Sequence, residues 1–250
     1  CRYSIVLWHF LTLSFQFNCL KSKSRHAIIP KISANRSNNV ITVRKTNVMQ
    51  NALLDARLHD PYAYLGLHRE QGQTLVRVFR PYDVQVWIRT ATGFEPMQRI
   101  HPDGIFEWRG DTSPAMPYRL RIEKKGERHI VYELFDPYAF APQISDHDLY
   151  LFNEGKLWQT YRTLGAHSVS NAGVSGMRFA VWAPNAERVS VVGDFNRWDG
   201  RMHPMHVHHA SGVWELFIPE LPPGSLYKLE IRNRASGEIL VKTDPYAQRF

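Results

Sequence analysis

Beyond residue 19 the sequence contains no cysteine, since Cys1 and Cys19 both stand at its start. Residues 20–250 therefore have no thiol with which to build a disulfide framework, and a reducing compartment such as the cytoplasm fits. Asp and Glu are missing from residues 1–48, where Arg2, Lys21, Lys23, Arg25, Lys31, Arg36, Arg44 and Lys45 stand. The net charge of +8 comes from that stretch alone, and 23 basic residues balance 23 acidic ones in the remainder. A neutral body excludes a nucleic-acid binder, whose affinity rests on clustered Lys and Arg displacing counterions from phosphates. Long apolar runs are also lacking. The run from Ile5 to Phe17 is broken by His9 and Gln16 and falls short of the roughly 20 residues a membrane span needs. Only Arg2 precedes it and no small-residue cleavage site follows closely, so it does not read as a secretory signal.

From Lys21 to Val48 the composition is Ser, Asn, Lys and Arg with scattered apolar residues and no periodicity, which reads as disorder. Residues 1–48 are expected to be a disordered leader, with the natural protein starting at or near Met49. The length of 250 residues suits one large domain or two of about 100 residues.

What the sequence does have is an internal repeat. Arg77-Val78-Phe79-Arg80-Pro81 is matched by Ala180-Val181-Trp182-Ala183-Pro184, and Gly104-Ile105-Phe106-Glu107-Trp108 by Gly212-Val213-Trp214-Glu215-Leu216. Tyr118-Arg119-Leu120-Arg121-Ile122 recurs as Tyr227-Lys228-Leu229-Glu230-Ile231, and Asp136-Pro137-Tyr138-Ala139 as Asp244-Pro245-Tyr246-Ala247. A further Asp60-Pro61-Tyr62-Ala63 precedes the first copy. Each Asp before Pro is expected to close its turn with its own side chain.

Alternating β-branched runs such as Leu75–Phe79, Val84–Ile88, Met177–Trp182 and Arg188–Val192 read as strands. Pro102-Asp103-Gly104, Ala183-Pro184-Asn185 and Pro222-Pro223-Gly224 read as turns. The fold class is therefore all-β, two tandem immunoglobulin-like antiparallel β-sandwiches joined by a short helical linker. Residues 49–145 form the expected first module, 146–165 the linker and 166–250 the second module, with helix predicted over 50–58 and 149–164. Trp182, Trp214, Phe179 and Phe217 are expected to face the inter-sheet core, as are Trp87, Trp108, Phe79 and Phe106 in the first copy.

Three stretches carry a family resemblance: Leu164-Gly165-Ala166-His167, then Gly176 to Ala186, then Val192-Gly193-Asp194-Phe195-Asn196-Arg197-Trp198-Asp199-Gly200-Arg201. Together they resemble bacterial glycogen branching enzymes of the α-amylase superfamily. Asp60-Pro61-Tyr62-Ala63-Tyr64-Leu65-Gly66-Leu67-His68 is similar to the start of that family's first N-terminal module. The resemblance covers about residues 50–250 and implies an extra N-terminal module followed by a carbohydrate-binding module. The family's nucleophilic Asp and acid/base Glu stand in barrel motifs downstream of these modules, so no residue here inherits a catalytic role. The chain alone is expected to be inert, with the barrel in cis and an α-1,4-glucan as partners, no membrane partner and no cofactor.

The resemblance also implies sugar contacts at Trp198, Asn196 and Lys228. The second aromatic platform of glycogen-binding relatives is missing, because Asn233-Arg234-Ala235-Ser236 stands in its place. Trp198 has two readings, a stacking platform for a sugar face or a contact with the neighbouring domain, and the residues leave both open. His203, His206, His208 and His209 do not match a common zinc spacing and have no cysteine nearby. They are expected to be solvated loop histidines, with no metal. Two rival functions remain, a free-standing glucan-binding protein and a purely structural pair of sandwiches.

Overall fold

Helix α1, residues 46–54, opens the structure, a computed structural model that describes residues 46–124 and 130–247. The expected leader, 1–48, lies outside the described residues apart from its last three positions, which belong to α1. Strands β1 (Gly66–Glu70), β2 (Gln73–Phe79), β3 (Asp83–Thr90), β4 (Gly93–Pro96), β5 (Gln98–His101), β6 (Ile105–Gly110), β7 (Arg119–Lys124) and β8 (Val131–Phe135) follow. They form two antiparallel sheets of order β1-β2-β6-β5 and β4-β3-β7-β8. Helices α2 (Asp146–Asn153) and α3 (Thr160–Thr163) lead into β9 (Gly165–Asn171), β10 (Val174–Trp182), β11 (Ala186–Gly193), β12 (His206–His208), β13 (Val213–Pro219), β14 (Tyr227–Asn233) and β15 (Ile239–Lys242). These make sheets of order β12-β13-β10-β9 and β11-β14-β15. The fold is thus all-β, in antiparallel sandwiches as the patterning predicts. The helix expected over 149–164 is two helices, because the chain turns at Glu154-Gly155.

Alternation builds each core. Val76 and Val78 of β2 meet Val86, Ile88, Leu120 and Ile122 of the facing sheet, and Phe179 and Val181 of β10 meet Val189, Val191 and Leu229. The same period corrects four of the eight aromatic assignments. Trp108, Phe106, Trp214 and Phe179 are buried in the clusters that fill the sandwiches. With 78 and 181 pointing inward, however, Phe79 and Trp182 must point outward. Trp182 is 55% exposed, and Trp87, between the inward Val86 and Ile88, is only half-buried. Phe79 and Phe217 are buried, but on outer faces: Phe217 meets Phe140 of the first copy's exit segment edge-on at 5.0 Å.

The repeat holds at the level of single atoms. Arg80 N–H donates to Gly104 O at 2.7 Å, and Ala183 N–H to Gly212 O at 3.0 Å. Both glycines have positive φ, 95° and 70°, and an added Cβ would lie 2.4 Å from the Cα of Pro81 and 2.9 Å from that of Pro184. Only glycine satisfies both constraints. Tyr118 donates its hydroxyl to Asp136, and Tyr227 to Asp244 at 2.5 Å. Each Asp also accepts the backbone N–H two residues on, from Tyr138 at 3.3 Å and Tyr246 at 2.8 Å. A fifth landmark, present in both quoted stretches but not matched between them there, is Leu-Gly-x-His. His68 Nε2 lies 3.0 Å from Leu65 O, and His167 Nε2 lies 2.9 Å from Leu164 O. Asp60 departs from the expected turn closure, since its carboxylate reaches His206 of the second copy at 3.2 Å instead.

The two sandwiches share a core. Leu53, Leu58, Tyr64, Leu65, Phe79 and Tyr138 belong to the same buried cluster as Phe179, Trp214 and Leu216. Ion pairs Arg57–Glu187 at 2.8 Å and Arg119–Glu220 at 2.7 Å rim this seam.

Burial pushes the Asp136 carboxyl up to about 6, and the Tyr118 hydroxyl and Tyr138 N–H only partly oppose that rise. An acid raised in the folded state favours folding in its protonated form, so its contribution falls as pH rises from about 4 to about 6. Tyr118→Phe removes a donor that favours the ionised form. It should cost about 1–3 kcal/mol, more at pH 8 than at pH 5, in urea melts of the two proteins at each pH.

Candidate functional site

The second copy is longer than the first at more than one place, and the largest excess follows β11. In the first, Met97 N–H donates to Val86 O at 2.8 Å, and in the second Met205 N–H donates to Val189 O at the same distance. The partners are eleven positions apart in the first pair and sixteen in the second. In the first copy a plain hairpin fills the interval, with Thr90 paired to Gly93. The five extra residues of the second copy build the turn that carries Trp198.

That turn is held from inside. A short 3₁₀ turn, Asp194–Asn196, follows β11, after which Arg197 and Trp198 both adopt left-handed backbone, with φ of 57° and 59°. Two consecutive non-glycine residues in that region are strained and persist only where surrounding bonds determine them. Here Trp198 N–H donates to Gly193 O at 3.0 Å, and the indole Nε1–H to Asp194 Oδ1 at 2.9 Å. Asn196, 1% exposed, accepts Gly193 N–H at 3.0 Å and donates to Val191 O at 2.8 Å. It also meets His203 Nδ1 at 2.8 Å. On the returning limb, Arg188 donates to Gly200 O at 2.7 Å.

The turn's flank meets the first module. Tyr82 donates to Asp199 Oδ2 at 2.9 Å, and Arg197 lies over the Tyr82 ring at 4.5 Å. Arg201 grips Asp199 with both ends of its fork, at 3.0 and 2.8 Å, and lies 5.5 Å from the Phe79 ring. Burial would raise the Asp199 carboxyl, but the bonds from Arg201 and Tyr82 outweigh it and hold the group below its ordinary value.

Of the three residues expected to contact sugar, Trp198 is 43% exposed. Lys228 is exposed on β14 directly across from Val192, next to the Gly193–Tyr227 pair where the turn begins. The two thus stand at one end of one sheet. Asn196 is corrected: it is buried and its amide is engaged by Gly193, Val191 and His203, so it shapes the turn and offers nothing to a hydroxyl outside. Asp194, Tyr82 and Arg201, which position the turn, were missed. The one signal for them was the five-residue difference between copies.

The histidines are not solvated as a group. His203 is buried and holds Asn196, His206 faces Asp60, and His208 Nε2 lies 2.9 Å from Glu215 Oε2. His206 is held by a neighbour far away in sequence, whereas the partners of His203 and His208 stand seven residues from them. Among the described residues, no group of three or more His, Cys, Asp and Glu is placed to hold a metal ion, and no helix is long and apolar enough to cross a membrane.

Asn196→Ala orphans the Gly193 N–H and one His203 nitrogen, and should cost about 2–3 kcal/mol with loss of the Trp198 indole signal's dispersion in NMR spectra. Burial first, and then Arg80, press the His203 pKa down to about 3. A base lowered in the fold contributes stability above its unfolded pKa of about 6.5 that is lost as pH falls toward 3. His203→Gln should therefore flatten the stability profile between pH 6.5 and 4, measured by denaturant midpoints.

Comparison with known families places both modules. Residues 46–138 match the family "alpha-1,4-glucan branching enzyme GlgB, N-terminal domain", and residues 163–247 match "Carbohydrate-binding module 48 (Isoamylase N-terminal domain)". The 1,4-alpha-glucan branching enzyme GlgB of Nitrosomonas europaea is 62% identical over 201 residues, covering 80% of this chain and 27% of its own length. That of Nitrosospira multiformis is 60% identical over 202 residues, with coverage of 80% and 27%. The Methylobacillus flagellatus enzyme is 53% identical over 211 residues, with coverage of 84% and 29%. The chain thus spans a little over a quarter of the length of these curated relatives.

Proposed function

We infer that this chain, which corresponds to the N-terminal region of 1,4-alpha-glucan branching enzymes and carries a carbohydrate-binding module 48 as its second sandwich, holds an α-1,4-glucan for branching in glycogen synthesis. In this reading Trp198 is the platform that stacks on a pyranose face and Lys228 donates to a hydroxyl beside it. Asn196, Asp194 and Asp199 position the turn. Residues 49–145 brace the turn from the side through Tyr82 and Phe79, 146–165 is the linker, and 166–250 is the binding module. The chemistry of cutting an α-1,4 bond and rejoining the piece through an α-1,6 bond belongs to a barrel in cis, and the modules alone are inert. The setting is the cytoplasm.

The observation that carries this reading is that the second copy replaces a plain hairpin with a strained, fully bonded turn that leaves one indole open. A structural filler would not need two left-handed residues in succession. The competing contact with a neighbouring domain is taken by Arg197, Asp199 and Arg201, while the hydrogen bonds of Trp198 among the described residues are to its own turn.

Trp198→Ala should weaken retention of the chain in a glycogen-containing native gel by about tenfold, the loss of one aromatic anchor. Lys228→Ala should weaken it less. Unchanged mobility of the Trp198 variant would exclude the assignment. The chain alone should leave the iodine absorbance of amylose unaltered.

A further inference from the structure

We propose that the second module carries a second α-glucan subsite, at the opposite end of β11 from Trp198, formed by Trp182 and a cleft containing Arg234 and His209. The proposal rests on the glucan-binding reading above and extends it to a surface that shares no residue with the first.

Three independent features meet there. The first is a cleft of about 250 Å³ between the end of β10, the start of β13 and the loop after β14, lined by Pro184, His209, Ser211, Gly212, Trp214 and Arg234 among others. This is smaller than a drug-sized pocket, which starts near 300 Å³, and it suits one sugar ring. Its floor is the buried Trp214, whose indole N–H is bonded to Ala183 O at 3.0 Å.

The second feature is Trp182 beside the cleft. Its outward turn was the largest departure from the expected core, and it is 55% exposed. The ring is nevertheless fixed. Nε1–H donates to Ser211 O at 3.0 Å, and Phe152 of α2 meets it edge-on at 6.2 Å. An indole whose polar atom is already bonded and whose plane is pinned presents an apolar face at little further entropic cost. That is what stacking on the C–H face of a pyranose requires. Its counterpart in the first copy, Phe79, is covered by Arg201, so the open face belongs to the second module only.

The third feature is the donor set. Arg234 uses one N–H on Ala186 O at 3.2 Å, which orients the guanidinium and leaves the rest of its fork available. His209 is exposed, with His59 edge-on at 5.8 Å. No carboxylate lines the cleft, so these donors are not neutralised and can bond to vicinal hydroxyls. Arg234 stands in the loop where glycogen-binding relatives are expected to have a second aromatic platform. In the proposed subsite the aromatic partner is Trp182 of β10.

Strand β11 has eight residues, so the two subsites are separated by about 23 Å at 3.3 Å per residue. A short oligosaccharide occupies them independently, whereas a polysaccharide engages both and gains avidity through effective concentration.

The test is a titration of the ¹⁵N-labelled chain with maltotriose, read at the Trp182 and Trp198 indole N–H resonances. Both should shift, each with its own saturation curve. Arg234→Ala, an exposed position, should weaken the Trp182 response at least tenfold and leave the Trp198 response unchanged, and Trp198→Ala should do the reverse. A shift at Trp198 alone, or a Trp182 response indifferent to Arg234→Ala, overturns the second subsite while the first reading stands. A shift at Trp182 alone supports the second subsite and refutes the Trp198 assignment. If inorganic phosphate and not maltotriose moves the Trp182 signal, the cleft is an anion site and the proposal fails.

Discussion

The buried carboxylate of Glu215 is the constraint on which the arrangement of the two modules depends. It is 1% exposed and sits on the outer face of β13, where a charge without partners would cost several kcal/mol. Its donors come mostly from outside its own strand. The backbone N–H groups of Gln143 and Ile144 reach it at 2.6 and 3.2 Å, and His208 Nε2 lies 2.9 Å away. The chain leaving the first module is thus fastened to the sheet of the second by the need to satisfy one charge. Once fastened, it brings Phe140 onto Phe217 and Ile144 into the cluster with Leu164, Ala180 and Val213.

That attachment makes the modules one body. Tyr138 donates to Pro204 O at 3.0 Å, Asp60 meets His206, and Tyr62, whose hydroxyl donates to Phe140 O at 2.8 Å, packs edge-on against the rings of Tyr138 and His206. Two modules joined by a loose linker would hold the Trp198 turn only through the second. Here the first module contributes Tyr82 and Phe79 directly to the turn's flank, so rigidity at Trp198 depends on a residue more than a hundred positions earlier. In the proposed reading, such support lowers the entropy lost on stacking a sugar.

Much of the fold was legible because the repeat is written in residues with few substitutes. Gly104 and Gly212 are required by left-handed backbone against a proline, and Tyr118 and Tyr227 by a carboxylate that each must satisfy. These are local constraints and leave a local trace. Three of the errors fell where a residue's environment is supplied from far away. Phe217 and Phe79 are apolar on a strand whether an inner sheet or a second module covers them, and Asp60 before proline looks like its two counterparts until His206 takes its carboxylate. Asn196 lies in a turn that reads as exposed, and only the return of His203 beneath it reveals that it is enclosed. The site was legible as a place, the Trp198 turn, but not as a set of supports.

The comparison of the two copies gives a stronger argument than either copy alone. Where a duplicated sandwich keeps the same bond at the same strand position, the bond serves the fold, as with Met97 to Val86 and Met205 to Val189. Where one copy departs while the bonds on either side persist, the fold does not require the departure. Five extra residues and two left-handed positions at Arg197 and Trp198 are such a departure. So is an open indole at Trp182, where the other copy has a covered phenyl ring. Both depart in the second sandwich, at opposite ends of one strand, and both leave an aromatic face held in place by bonds to its own neighbourhood. The two consecutive left-handed positions and the open indole both stand in the second copy, the distribution expected if, as proposed, one copy braces and the other binds.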